Sequence, residues 1–299
     1  MWSLTWLEGH FGSLALLSEI DDGRVATMVA KRRGEFVPDR RKKPLPKGAA
    51  QPPLRRVGPV TVNRTVTQPL REILIRARDT WGARTNRIRW RDHLLAEPQE
   101  RVREARPDEE TSIMGELERG YDSAVRFAFL SGCRRMEILG LIWTNIDFFN
   151  RQFRVIGKGN RERIVPMSTA LYDLLWSEQG NHPEKVFTFE AKRTRKYNDA
   201  PMIRGKRYPL SESGLKSAMR RAVSRAGVAN FHFHDTRHTV ATRVLRKSNL
   251  RVVQNLLGHA DIATTTKYAH AVHDDIRDAL EAASSPVSAP VGRSRANEA

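Results

Sequence analysis

The stretch His234-Asp235-Thr236-Arg237-His238, followed by Leu257-Gly258-His259 and then Lys267-Tyr268, sets histidine, arginine, histidine and tyrosine in a fixed order. An arginine fork matches phosphate oxygens, and imidazole N–H groups can donate beside it. A phenol becomes a nucleophile once something takes its proton. The chemistry common to these side chains is work on a single phosphodiester. They form no serine-type triad. His232, His234 and His238 come without a carboxylate–histidine motif of zinc spacing, so no metal or other cofactor is expected.

Two further side chains gain meaning from this company. Arg134 follows the helix stop Ser131-Gly132 and precedes Met136-Glu137-Ile138, a bend where a guanidinium and free helix amides can hold one anion. The ordinary alternative is a surface arginine paired with Glu137. Lys158 stands in Gly157-Lys158-Gly159-Asn160, a hairpin tip between a strand at Phe153–Ile156 and a return strand at Arg163–Pro166. It is no nucleotide-binding P-loop, because the spacing and the following Ser/Thr are missing. Taken singly, a tip lysine is solvated, His259 is a turn histidine and Tyr268 is a packed aromatic.

The elements that must position these groups are mostly helices. Trp2, Leu4, Leu7 and Phe11 predict a short amphipathic helix, and Asp21 or Asp22 caps a second one carrying Val25, Met28 and Val29. Residues 38–59, with Arg40-Arg41-Lys42-Lys43 and several prolines, read as an extended basic loop. Asn63 is expected to cap a helix with Leu70, Ile73, Leu74 and Ala77 on one face, started or kinked at Pro69. Arg64, Arg71, Arg76 and Arg78 fall largely on its other faces. A polar segment from Arg91 to Arg106 is the expected hinge. Beyond it, Pro107 opens a helix and another covers Val125–Leu130. Helices span Thr169–Trp176 and Ser211–Ala226, the latter closed by Gly227. Lys192-Arg193-Thr194-Arg195-Lys196 with Arg204, Lys206 and Arg207 reads as a second basic loop. His234 and Arg237, three apart, open a helix on a shared face. The next helix runs from Asn249 and ends at Gly258, and Asp261 caps a last one bearing Tyr268. The total is a mainly α chain with a small β-sheet, of α+β class.

Lys+Arg 52 against Asp+Glu 34 leaves a net charge of +18, which favours a polyanionic partner, most simply nucleic acid. Hydrophobic residues at 39% suffice for ordinary cores. The single cysteine, Cys133, excludes a disulfide framework and a cysteine-based zinc site, and fits a reducing cytosol. No apolar run approaches the ~20 residues of a membrane helix, and the N-terminus lacks a basic signal-peptide region. A cytoplasmic, nucleoid-associated protein is the expectation.

Collectively, Ser131-Gly132-Cys133-Arg134-Arg135-Met136-Glu137-Ile138, Gly157–Arg163, His234–Thr239, Leu256–His259 and Tyr268 resemble the tyrosine recombinases, or phage integrase family, in motif order and spacing. By that resemblance residues 105–284 are the catalytic domain and 1–104 a helical core-binding domain that clamps DNA, with 285–299 a disordered tail. The likeness in the first region rests on Trp6–Gly12, Leu17–Ile20 and Val62-Asn63-Arg64, and begins so near Met1 that either the gene start lies upstream or the expectation is a simple recombinase without an arm-site-binding domain. Cys133-Arg134-Arg135-Met136 departs from the family's more usual Leu-Arg-Ile-Ser.

The resemblance makes Arg134, Lys158, His234, Arg237, His259 and Tyr268 the catalytic set. Arg134 and Arg237 would clamp the non-bridging oxygens and His259 add a donor. Tyr268 would attack to form a 3′-phosphotyrosyl bond, with His234 taking the phenolic proton and Lys158 protonating the 5′ oxygen. The ester energy is retained, so neither metal nor ATP is called for. The expected function is site-specific recombination of double-stranded DNA through a Holliday junction, by a homotetramer on paired sites with accessory DNA-bending proteins as further partners. Residues 271–283, with Val272, Ile276, Ala279 and Leu280 on one face, would dock on a partner subunit or on their own. Two rival readings are a monomeric type IB topoisomerase and a DNA-binding regulator of a mobile element that has lost cleavage.

Overall fold

The computed structural model describes residues 2–38, 53–98, 101–157, 159–197 and 200–269. The chain divides into two compact units, Met1–Glu100 and Arg101–Ala299. Most of the expected basic loop at 38–59, the hairpin residue Lys158, the partner-docking segment 271–283 and the tail 285–299 lie outside the described residues.

The first unit is helical. Helix α1 (Trp2–Phe11) and α2 (Asp22–Gly34) precede a short α3 (Pro59–Val62), the longer α4 (Gln68–Trp81) and α5 (Trp90–His93). Asp21 caps α2 by accepting from the Arg24 amide at 2.8 Å. Asn63 is not the helix cap that its type suggests. Helical backbone begins at Pro59, and Asn63 lies within it, buried, with its amide spent on the Leu95 backbone and on Glu97. Between α3 and α4 the turn widens to a π-type geometry over Asn63–Thr67, just ahead of Pro69. Proline has no N–H to donate and its ring crowds the carbonyl four residues back, so a widened turn lets the helix continue. Leu70 and Leu74 of α4 pack in one cluster with Val25, Met28 and Val62, and Ala77 is buried, while Arg64, Arg71, Arg76 and Arg78 are exposed.

The second unit is built on α7 (Tyr121–Ser131), which follows α6 (Pro107–Gly115). Ala124, Val125, Phe127 and Ala128 are fully buried, so α7 turns a broad apolar face into the core and leaves only a narrower side with Arg126 exposed. The Phe127 ring meets Phe153 at 5.2 Å and Phe187 at 4.9 Å. Burying each such side chain contributes roughly 1.5–3 kcal/mol. Short α8 (Arg135–Leu139) is followed by β1 (Ile146–Asp147), β2 (Gln152–Ile156) and β3 (Glu162–Pro166), a three-stranded antiparallel sheet in that order. Phe153 and Val155 of β2 face the core and Arg154 and Ile156 face out, as strand alternation requires.

After α9 (Thr169–Ser177) the expected basic loop is partly β structure: Arg195, Lys196 and Arg207 lie in strands, while Lys192, Arg193, Arg204 and Lys206 stay in turns and connections. Strands β4 (Thr188–Glu190) and β7 (Arg207–Pro209) pair, and β5 (Arg195–Tyr197) pairs with β6 (Ala200–Met202). Backbone pairing between segments of opposite direction organises a sequence whose charge alone suggested a loop. Then come α10 (Glu212–Arg225), α11 (Phe233–Lys247), α12 (Leu250–Leu257) and α13 (Ala263–Thr266). Ser211 and Asn249 cap α10 and α12 through side-chain oxygens. The architecture is mainly helical with small sheets, as the sequence predicts.

Candidate active site

The C-terminal ends of α7 and α12 meet the first turns of α11. Each of the two helix ends closes on a left-handed glycine, Gly132 (φ 64°) and Gly258 (φ 63°). Arg237, on α11, is 2% exposed and donates to the Gly132 carbonyl at 2.8 Å and the Leu257 carbonyl at 2.6 Å. Arg134, the residue before α8, reaches the same Leu257 carbonyl at 3.5 Å. The two guanidinium groups therefore converge on the end of α12. None of Arg237's hydrogen-bond partners among the described residues is a carboxylate. Burial, then the charge of Arg134, lowers its pKa to about 10, so it stays protonated at neutral pH. A buried cation without a hydrogen-bonded anion is costly, and an incoming phosphate oxygen would relieve that cost.

His259 follows Gly258 and joins this pair. Its Nε2 lies 3.2 Å from Nη2 of Arg237 and its Nδ1 2.9 Å from the Thr265 hydroxyl. Burial, then the charges of Arg237 and Arg134, depress its pKa to about 4. It is neutral at pH 7. Since a guanidinium only donates, Nε2 accepts and the proton is assigned to Nδ1.

Arg134 is also held by Glu137. One carboxylate oxygen accepts from the Arg134 amide at 2.7 Å and the other from its Nη1 at 2.9 Å. The ordinary reading of Arg134, a pair with Glu137, is what the geometry shows, and the side chain nevertheless remains 39% exposed. Burial would raise the Glu137 carboxyl, but Arg163 and Arg134 hold it down at about 2. Arg163 of β3 donates to both Glu137 oxygens at 2.8 Å.

Tyr268 is fully buried. It packs with Ala241, Val253 and Leu257, and its hydroxyl is 3.0 Å from Nδ1 of His238. His238 in turn meets the His234 ring edge-on at 4.9 Å, and His234 is exposed. His238 thus touches both His234 and the phenol. Arg134, Arg237 and His259 are drawn into direct contact with shared groups. Tyr268 sits against a separate histidine with its hydroxyl closed off from solvent. Sequence reasoning missed Glu137, Arg163, Thr265 and His238 as members of the site. The Arg134–Glu137 spacing of three and the His234–His238 spacing of four were the available signals. No cluster suited to a metal ion occurs among the described residues.

Residues 104–274 match the Phage integrase family, which is more than half of the chain. The chain belongs to that family. Among relatives of this integrase-family chain is the tyrosine recombinase XerC of Bifidobacterium longum subsp. infantis, 31% identical over 153 residues, 50% of this chain and 43% of that protein. The integrase of Salmonella phage P22 is 27% identical over 278 residues, 89% of this chain and 69% of that one. The chain spans half or less of the length of the XerC relatives that it matches. Among solved structures, the Tn1549 transposon integrase in complex with a circular intermediate DNA superposes with a TM-score of 0.59 at 17% identity, covering 94% of this chain and 92% of that one. A lambda integrase dimer bound to a COC′ core site gives 0.60 at 15% identity, covering 89% and 69%. At these identities the likeness is one of fold. No helix among the described residues is long and apolar enough to cross a membrane.

Proposed function

We propose that this protein is a site-specific DNA recombinase that breaks and rejoins strands through a 3′-phosphotyrosyl intermediate. The observation that carries the reading is the pair Arg134 and Arg237 meeting at the Leu257 carbonyl, one buried and without a hydrogen-bonded carboxylate, beside neutral His259. A phosphodiester is anionic, and attack concentrates charge on its non-bridging oxygens. Two guanidinium forks offset that charge, and a single donor of this kind is worth on the order of 10²–10³ in rate.

In the reaction, the Tyr268 oxygen bonds to phosphorus and the bond to the 5′ oxygen breaks. The phenolic proton leaves to His238, the base it already touches, or onward to His234. Lys158 gives a proton to the 5′ oxygen. Attack by a 5′-hydroxyl of another strand reverses these steps, releases Tyr268, and on paired duplexes exchanges strands through a four-way junction. Such pairing calls for four subunits. Double-stranded DNA is the partner, and the exposed arginines of α4 are its proposed backbone contacts in the first unit.

Because Tyr268 is enclosed with its hydroxyl on His238, this conformation is a resting one, and DNA binding must open the segment after Gly258 before attack. The test uses a randomised pool of nicked duplexes, in which the departing strand is lost and the covalent adduct persists. Wild type should form a denaturant-resistant protein–DNA adduct and Tyr268→Phe none. An adduct of equal yield with Tyr268→Phe would refute the nucleophile.

A further inference from the structure

Arg163 plays no part in the chemistry above, yet it is among the most constrained side chains near it. It projects from β3, where it pairs in register with Val155, and only 12% of its side chain is exposed. All three of its nitrogens are engaged. Nη1 and Nη2 donate to the two oxygens of Glu137 at 2.8 Å each, and Nε donates to the Leu256 carbonyl at 2.9 Å. Its stem passes close under the next turn, since a Cβ on Gly258 would stand 2.8 Å from Arg163 Cδ. One side chain therefore ties the hairpin strand, the carboxylate behind Arg134 and the last turn of α12.

The consequence for Arg134 is one of shared charge. Glu137 Oε1 accepts from both Arg134 Nη1 and Arg163 Nη1. With its charge met by the Arg163 fork, Glu137 keeps only one end of the Arg134 guanidinium, whose Nε and Nη2 make no hydrogen bond to described residues. Without Arg163, the carboxylate would turn wholly to Arg134, and the Arg134 charge would be spent inside the protein. The bond to Leu256 fixes the neighbouring carbonyl that both clamp arginines use, and the turn that carries His259.

We propose that Arg163 is a positioning residue of the phosphate clamp, holding Arg134 open to substrate through Glu137 and seating the turn that carries His259 through the Leu256 carbonyl. This rests on the reading of Arg134 and Arg237 as that clamp.

The experiment times adduct formation on a nicked duplex selected with wild type, for Arg163→Met, Arg163→Lys, Glu137→Gln and the Arg163→Met/Glu137→Gln pair. A displaced reacting group can lose up to about 100-fold, so Arg163→Met should be slowed about ten- to a hundredfold. Arg163→Lys should be slowed as well, because an ammonium cannot supply the fork. The double variant should be no slower than the slower single one, as for residues acting through one another. A second duplex carries an uncharged methylphosphonate at the cleaved position, which needs less neutralisation. On it the deficit of both Arg163 variants should shrink about tenfold or more. A residue that only supports the fold would show the same deficit on both duplexes, and that result overturns the proposal. So do wild-type rates in the Arg163 variants. Should Arg163→Met fail to unfold cooperatively in urea, Arg163→Lys decides by the same ratio. No adduct from wild type on any duplex overturns the recombinase reading and this proposal together. An adduct from wild type with unaffected variants overturns this proposal alone.

Discussion

The Tyr268 hydroxyl and His238 Nδ1 lie 3.0 Å apart with both side chains buried, so the residue read as the nucleophile rests in a hydrogen bond of the protein's own. In the proposed attack the phenolic proton passes to His238 along this bond. It also predicts a stability effect separable from catalysis. Tyr268→Phe removes this hydrogen bond, and the loss of one buried bond costs about 0.5–1.5 kcal/mol. Urea unfolding of the DNA-free protein should show a loss in that range. A Tyr268→Phe variant as stable as wild type would mean the bond contributes nothing at rest.

Arg237 should not tolerate lysine. Its fork meets two carbonyls and the His259 ring at 2.6–3.2 Å, a geometry that one ammonium cannot reproduce. Arg237→Lys is expected to slow covalent trapping by about 10²-fold or more while changing DNA affinity less than about tenfold. Trapping rates and a binding titration at fixed salt check both halves, and equal losses in the two would point to a purely binding role.

Acid should weaken the fold in two steps. The pKa of His259 falls from an ordinary 6.5 to about 4 on folding, so between these values the unfolded chain binds a proton that the folded one does not. Stability present above pH 6.5 is therefore lost as pH drops towards 4. Glu137, moved from 4.5 to about 2, adds a loss that begins below pH 4.5. His259→Asn should flatten the first step and Glu137→Gln the second, read as urea midpoints across that range. Parallel curves for His259→Asn and wild type between pH 6.5 and 4 would contradict the assignment.

Gly258 should resist substitution on two counts. Its φ of 63° costs an L-residue roughly 1–2 kcal/mol, and a Cβ there would meet Arg163 Cδ at 2.8 Å. Gly258→Ala is expected to destabilise by about 2 kcal/mol or more and to slow trapping. Gly227→Ala, at φ 66° with open space around it, carries only the backbone part and serves as the control.

DNA affinity should fall steeply with salt, given a net charge of +18. Replacing Arg71 or Arg76, exposed on α4, with Ala should lower the slope of log K against log salt by about one each, if each meets a phosphate. Unchanged slopes would remove α4 from the interface.

The sequence alone carried a good deal of this. Helix periodicity, the Asp21 cap, the Gly258 helix end and the β2–β3 hairpin are local features, set by residues within a turn or two of each other, and they appear as expected; Ser211 and Asn249, read as first helical residues, turn out to be the caps. The motif residues also named the family. Where a local signal was ambiguous it misled: Asn63 has the side chain of a cap but spends it on Leu95 and Glu97, over thirty residues away. The basic run after α9 hid a short hairpin, β5–β6, and a β4–β7 pair that closes around it between strands not adjacent in sequence.

Only the tertiary structure decided how the site is assembled. Arg237 finds the Gly132 carbonyl across 105 positions and Arg134 the Leu257 carbonyl across 123. No periodicity or propensity encodes such a choice, because it depends on three helix ends being brought to one place by the burial of α7. The same packing closes Tyr268 against His238 and sets Arg163 behind Glu137. Residue types in order revealed which chemistry was available, and the packing of the core determined which charges face each other and which group waits behind them.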